Sequence, residues 1–287
     1  MTLVNTPPSS KQTRIAFVLG GGGITGACRE SGALLALAQY GIVSTENLGN
    51  SAGAIIGALD SAGFSAERIV EILLCLRDED VREKLFLWPF RLGWTDHIFR
   101  NDKIRTLLES LLPANFSDLH KPLSVMAVNP RTGSCLNVAT PNLSESPAQA
   151  VLASMAIPSI FPPVRLKDGD LYWDGGIRQN VPLPLDWPLY HQVWVLMGAD
   201  RPHDYQGKSN VITNAVRAMH IRFQDEQFDV MEQTRNAPNV HVLWPDVPTS
   251  KGFLHFDRDL IGKSYDWTVQ EIERLRTKEG RTCMGTF

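Results

Sequence analysis

The sequence is poor in the residues that build metal sites and disulfide frameworks. Its 287 residues hold four cysteines, Cys28, Cys75, Cys135 and Cys283, far apart and in no C-x-x-C or Cys/His ligand spacing. Neither a metal site nor a disulfide framework is expected, and reduced, mostly buried thiols fit a cytoplasmic compartment. No apolar run approaches the ~18–20 residues of a membrane span. The opening stretch MTLVNTPPSSKQTR has no basic region followed by an apolar core, so it does not read as a secretory signal. Residues 1–13 read instead as a short disordered tail. Positive charge is not in excess: 28 Lys+Arg against 31 Asp+Glu give a net charge of −3, so electrostatics make no case for nucleic acid as a partner. Repeats, low-complexity runs and linkers are absent as well. Residues 14–287, within a chain that is 43% hydrophobic, are therefore expected to form one α/β domain.

What is present centres on Gly49-Asn50-Ser51-Ala52-Gly53, a Gly-x-Ser-x-Gly pattern. A short apolar element, Val43 to Leu48, precedes it, and a small-residue helix beginning Ala54-Ile55-Ile56 follows. A serine hydroxyl becomes a nucleophile only when it is exposed, oriented and relieved of its proton. A sharp strand-to-helix turn exposes and orients it, and the helix N-terminus favours negative charge nearby. The pentapeptide alone fits a helix-packing turn equally well, since a chain with 22 glycines matches it readily by chance.

Upstream, Ile15-Ala16-Phe17-Val18-Leu19 has the form of a strand buried on both faces. It runs into Gly20-Gly21-Gly22-Gly23-Ile24-Thr25-Gly26, and then into a helical pattern stopped by Gly41. Bare backbone N–H groups at such a turn converge on a negative oxygen. Gly21-x-Gly23-x-x-Gly26, with Glu46 about 20 residues on, satisfies a dinucleotide fingerprint. A Walker loop is excluded, because no Lys-Ser/Thr follows the last glycine. An oxyanion hole is the other functional reading. Only one helix and one short strand fit between this loop and Ser51. In a parallel β–loop–α–β unit both loops emerge at the carboxyl edge of adjacent strands, so the two are expected to be neighbours.

Residues 65–84 are predicted as a helix with Ser65 as N-cap. Residues 85–94 (LFLWPFRLGW) are an aromatic-rich segment that reads as buried loop packing or as a mobile apolar flap over a lipid-binding groove, with transient membrane-surface contact through it a further open reading. Asn101 to Leu112 and Pro147 to Met155 are predicted helices. Leu123 to Asn129 and Cys135 to Ala139 are predicted to pair as a hairpin. Beyond them, Leu171-Tyr172-Trp173 leads into Asp174-Gly175-Gly176, either a favoured hairpin turn or an accessible proton acceptor. Strands near 193–197 and 240–244 alternate with helices near 209–236 and 257–278.

Taken in order, the glycine-rich loop, Gly-x-Ser-x-Gly one βα unit later, Ser154-Met155-Ala156-Ile157-Pro158 with Phe161-Pro162-Pro163-Val164, and Asp174-Gly175-Gly176 resemble the patatin-like phospholipase family. The likeness covers about residues 14–275, including the segment Phe256 to Leu275. It implies a three-layer α/β sandwich around a mainly parallel sheet, and hydrolysis of lipid acyl esters without metal or organic cofactor. It further implies Ser51 as nucleophile, Asp174 as base, and the amides of Gly21, Gly22 and Gly23 as oxyanion hole. Thr25 stands where the family often has a basic residue, and Asn50 where Thr is common. A carboxylate is acidic for a base, near ~4, so burial has to raise it.

Three rival readings remain open at this level. A Ser-His-Asp triad draws on His191, His203, His220, His241 or His255. That fold, however, takes its upstream oxyanion amide from a loop several strands before the nucleophile. A dinucleotide-binding oxidoreductase uses Gly21, Gly23, Gly26 and Glu46. A catalytically inactive lipid-binding protein keeps the fold and not the chemistry.

Overall fold

The computed structural model describes residues 13–84, 97–140, 143, 145–201, 211–249 and 252–284. The tail expected over residues 1–13 lies outside that set except for Thr13, and so do the aromatic segment 85–94 and His203. The apolar run Ile15–Leu19 is strand β1, and β2 (Glu46–Gly49) pairs parallel to it, Val18 opposite Leu48. Helix α1 (Gly23–Gln39) connects them. Helix α2 (Ala52–Ser61) follows β2 after a two-residue turn that holds Ser51.

From there the chain forms α3 (Ala66–Cys75), α4 (Asp78–Val81), the antiparallel pair β3 (Glu83–Lys84) and β4 (Phe99–Arg100), and α5 (Asp102–Leu111). Next come β5 (Leu123–Val128), β6 (Cys135–Asn137), α6 (Pro147–Ser154), β7 (Val164–Arg165), β8 (Leu171–Asp174) and β9 (Gln192–Leu196). Helix α7 (Val211–Thr234), β10 (Val240–Leu243) and α8 (Arg258–Met284) complete the order. The main sheet runs β10-β9-β1-β2-β5-β8-β7, with β6 also on β5. Every pair from β10 to β5 is parallel, and β6, β7 and β8 are antiparallel to their neighbours.

Strand alternation divides the apolar residues between two layers of cover. Phe17, Leu19, Trp194 and Leu196 face a core built with α1, α2, α3, α6 and α8. Ala16, Val18, Val193 and Val195 face Val181, Tyr190, Trp244 and Val230 of α7. This is the three-layer α/β sandwich around a mainly parallel sheet that the sequence led us to expect. No helix among the described residues is long and apolar enough to cross a membrane.

Some boundaries differ from the sequence reading. The helix expected over 65–84 is two: α3 stops at Cys75, and Leu76 and Arg77 are extended. The reason lies in Asp78-Glu79-Asp80, three acids that suit a new helix N-terminus. The Asp80 carboxylate accepts the Arg77 N–H at 2.9 Å. Strand β2 begins at Glu46 rather than Val43. The Asp174-Gly175 pair makes a 3₁₀ turn after β8, not a two-residue hairpin. Cys28, Cys75 and Cys135 are in no disulfide among the described residues, and Cys75 is exposed, not buried.

The spacing between α2 and β1 sets a stability test. A Cβ at Gly53 would collide with the Leu19 carbonyl, a backbone group, whereas one at Gly57 would meet only side-chain atoms, the nearest being Leu19 Cδ1 at 3.3 Å. Gly53→Ala is expected to cost about 1–3 kcal/mol through overpacking. At Gly57→Ala the crowding is offset by a helix-propensity gain of up to about 1 kcal/mol. Urea denaturation of both variants checks the contrast.

Candidate active site

The site forms where strands end. β2 stops at Gly49, beside Val125 of β5. Farther along β5, Ala127 and Val128 pair with Asp174 and Trp173 of β8 on one flank and with Leu136 and Cys135 of β6 on the other. The Val138 N–H reaches Val125 O at 2.7 Å, so the β6 flank is occupied there. β2 and β8 must therefore share the remaining flank and meet end to end. One delivers Ser51 and the other Asp174 to the same point.

Ser51 has φ 51° and ψ −118°, a strained conformation for a residue with a side chain. The turn is held from several sides. The Ser51 N–H donates to Ser154 Oγ at 2.9 Å, and the Asn50 N–H to the Leu19 carbonyl at 3.0 Å. A Cβ on Gly21 would lie 3.2 Å from Cβ of Ser51. The glycine loop and the serine are thus neighbours, as the short βαβ unit requires.

Asp174 is 0% exposed. Its Oδ1 accepts the Gly176 N–H at 2.8 Å and an Asn50 Nδ2–H at 3.5 Å. Burial pushes the carboxyl up to about 6, against the downward pull of the nearby Ser51 hydroxyl and of the Gly176 and Asn50 donors. Oδ2 has no aligned hydrogen bond among the described residues. The Ser51 hydroxyl is thus close enough to act on the carboxyl without being aligned on it. A base near 6 is better matched to neutral pH than an ordinary carboxylate.

The glycine loop divides its donors. The Gly20 N–H goes to Leu196 O at 3.0 Å, Gly21 to Asn180 O at 3.2 Å, and Ile24 to Phe253 O at 2.9 Å. Among the described residues the Gly22 and Gly23 N–H groups meet no protein acceptor. They lie at the N-terminus of α1, next to the N-terminus of α2 at Ser51, where two helix dipoles favour negative charge.

Three positioning groups went unassigned in the sequence. Ser154 bridges the Ser51 N–H and Asn50 Oδ1, the latter at 3.4 Å. Asn180 donates through Nδ2 to Gly21 O at 3.1 Å. Glu226 on α7 accepts the N–H groups of Asn180 and Val181 at 2.9 and 3.0 Å. Ser154 and Asn180 stand inside or beside the quoted motifs, so their neighbourhood was visible but their roles were not. Glu226 carried no local signal.

The rival residues lie elsewhere. Glu46 opens β2 opposite Ala16 and pairs with Arg14 at 3.3 Å, at the amino end of the strand, away from the glycine loop. His191 accepts the Arg14 N–H at 2.9 Å at that same edge. His241 stacks on Trp194, His220 faces Phe253, and His255 sits between Asp78 and Arg82. The groups that move the Asp174 carboxyl are Ser51, Gly176 and Asn50, and no histidine is among them.

An apolar cavity opens from Ser51 and Gly23. Ile55 and Leu59 of α2, Ile72 of α3, Leu108 of α5 and Phe161 line it, and Leu254 and Phe256 border it. The cavity's volume is about 50 Å³.

Comparison with known proteins places these features. The chain is 29% identical over 189 residues to the uncharacterized protein YqhO of Bacillus subtilis (strain 168), covering 58% of this chain and 64% of that one. It is 28% identical over 147 residues to the uncharacterized protein R571 of Acanthamoeba polyphaga mimivirus, covering 48% of each. The matched region thus spans between about half and two thirds of these relatives' length. Among solved structures, VipD of Legionella pneumophila aligns with TM-score 0.49 at 16% identity, covering 91% of this chain and 67% of VipD. ExoU of Pseudomonas aeruginosa, solved with SpcU, aligns at 0.44 and 17%, covering 92% of this chain and 52% of that one. The family model for patatin-like phospholipase matches residues 17–187, a stretch that contains the glycine loop, Ser51, Ser154, Asp174 and Asn180. That match takes in more than half of the chain, and the chain belongs to the patatin-like phospholipase family.

Proposed function

We propose that this protein is a serine acyl hydrolase that cleaves lipid acyl esters with Ser51 as nucleophile and Asp174 as its base. The observation that carries the reading is the meeting of Ser51, a fully buried Asp174 carboxyl and two glycine-loop N–H groups with no protein acceptor among the described residues, at the mouth of an apolar cavity. An acyl chain enters the cavity with its ester carbonyl beside Ser51. The Ser51 Oγ–H proton passes to Asp174 as Oγ attacks the carbonyl carbon. The oxyanion is received by the N–H groups of Gly22 and Gly23, each worth about 3 kcal/mol if well aimed. Gly21, whose N–H is engaged by Asn180, holds the loop in place. Collapse of the tetrahedral species expels the alcohol, which takes the proton from Asp174. Water then repeats the sequence on the acyl-serine, and the acid leaves.

Ser51→Ala and Asp174→Asn are each expected to lower ester turnover by about a thousandfold or more. A fluorophosphonate should label Ser51 in the wild type and fail to label Ser51→Ala. Labelling at another residue, or equal turnover in the three proteins, would overturn the assignment.

The pH behaviour of Asp174 gives a second test. Activity requires the ionised carboxylate and should rise through about pH 6 to a plateau. Stability should run the other way. The folded carboxyl holds its proton more tightly than the unfolded one, so its contribution is complete below about pH 4 and is lost as pH rises through about 6. Above that, the buried charge costs about 3 kcal/mol. Asp174→Asn should therefore melt above the wild type at pH 8, with the gap closing near pH 4. A variant less stable than the wild type at pH 8 would contradict this.

A further inference from the structure

The cavity that reaches Ser51 has a thin wall. On its far side, a groove open to solvent is lined by Asp80 and Glu83, and by Lys103, Thr106 and Ser110 of α5. Two residues line both spaces, Leu76 and Leu107. Both are half-buried, whereas the inward neighbours Ile72, Leu73, Ile104 and Leu108 are buried.

Helix periodicity explains Leu107. On α5, residues 104, 108 and 111 line the inner cavity, and 103, 106 and 110 the outer groove. Position 107 falls on the border between the two stripes. Leu76 reaches the same border because α3 ends at Cys75 and the chain turns extended there. Had 65–84 continued as one helix, this position would have stayed within a helical stripe.

We propose that Leu76 and Leu107 form the wall that limits the length of acyl chain this protein accepts. The proposal rests on the acyl-hydrolase reading above and adds its substrate class: esters whose acyl chain ends before this wall. Neither leucine touches the reacting atoms, so both act as specificity-determining residues. A chain that fits gains apolar contact with every methylene. A longer chain has to displace a leucine or leave its end in water.

The test uses p-nitrophenyl esters from butyrate to palmitate with the whole chain. For the wild type, kcat/KM should climb by about fourfold per methylene while each finds apolar contact, and then level off. Leu107→Ala should move the levelling point to longer chains. Leu107→Trp should move it to shorter chains. Leu76→Ala repeats the first test should Leu107→Ala fail to fold. An unmoved levelling point in the folded variants, with Ser51-dependent turnover intact, would overturn the wall and leave the hydrolase standing. Ester turnover that is absent, or unchanged in Ser51→Ala, would instead overturn the hydrolase and the wall with it.

Discussion

Two strands of opposite direction share one flank of β5, and the site depends on that arrangement. β2 uses the first half of the flank and β8 the second. Where β2 ends, the chain must turn away from the oncoming β8, and it does so through Ser51 at positive φ. Where β8 ends, Asp174 closes into a tight turn over the Gly176 N–H. A hydroxyl and a carboxyl separated by more than a hundred residues are thereby fixed face to face by backbone hydrogen bonding. A sheet is a rigid support for such a pair, and loops of the same length would be less exact.

A buried carboxylate is expensive, and the surroundings show how it is tolerated. Asn50 and Gly176 donate to one oxygen, and two helix N-termini lie close by. The second oxygen accepts no aligned hydrogen bond among the described residues. Asn50 also donates to Asn180 Oδ1 at 3.4 Å and accepts from Ser154. A single side chain thus ties together the carboxyl, the elbow and the support of the glycine loop. Such a network is strong only when every member is placed, which gives Asn50 a positioning task at a position where the family commonly has Thr.

Around this polar centre the cover is apolar. The segment 252–257 seals one side: Phe253 O caps the first turn of α1, and Leu254 and Phe256 border the cavity. Asp78 anchors that segment by accepting the Phe256 N–H at 2.8 Å and contacting His255 at 2.7 Å. The acidic start of α4, which breaks the longer helix, therefore also fixes part of the cavity lining.

Much of this was legible in the primary structure. The run Ile15–Leu19 was read as a strand because nothing polar interrupts it, and the brief span from Gly26 to Gly49 forced β1 and β2 to be neighbours. Ser51 and Asp174 stand out in the sequence through the glycines that flank them, and their roles as nucleophile and base are what the family resemblance implies. The α3–α4 break was missed because its cause, three acids starting a new helix, lies within an otherwise periodic pattern. Glu226 went unseen because its partners are the backbone N–H groups of Asn180 and Val181, and backbone leaves no residue-specific trace. By itself the sequence determined that β1 and β2 are neighbours and that a hydroxyl and a carboxyl stand at glycine-flanked turns, since local sterics and periodicity set those. The tertiary structure alone decided that Asp174 is fully buried and so less acidic, that Gly21 spends its N–H on Asn180 while Gly22 and Gly23 do not, and that Leu76 and Leu107 part the cavity from solvent. Each of these depends on contacts between segments far apart in the chain, and a linear pattern does not encode distance.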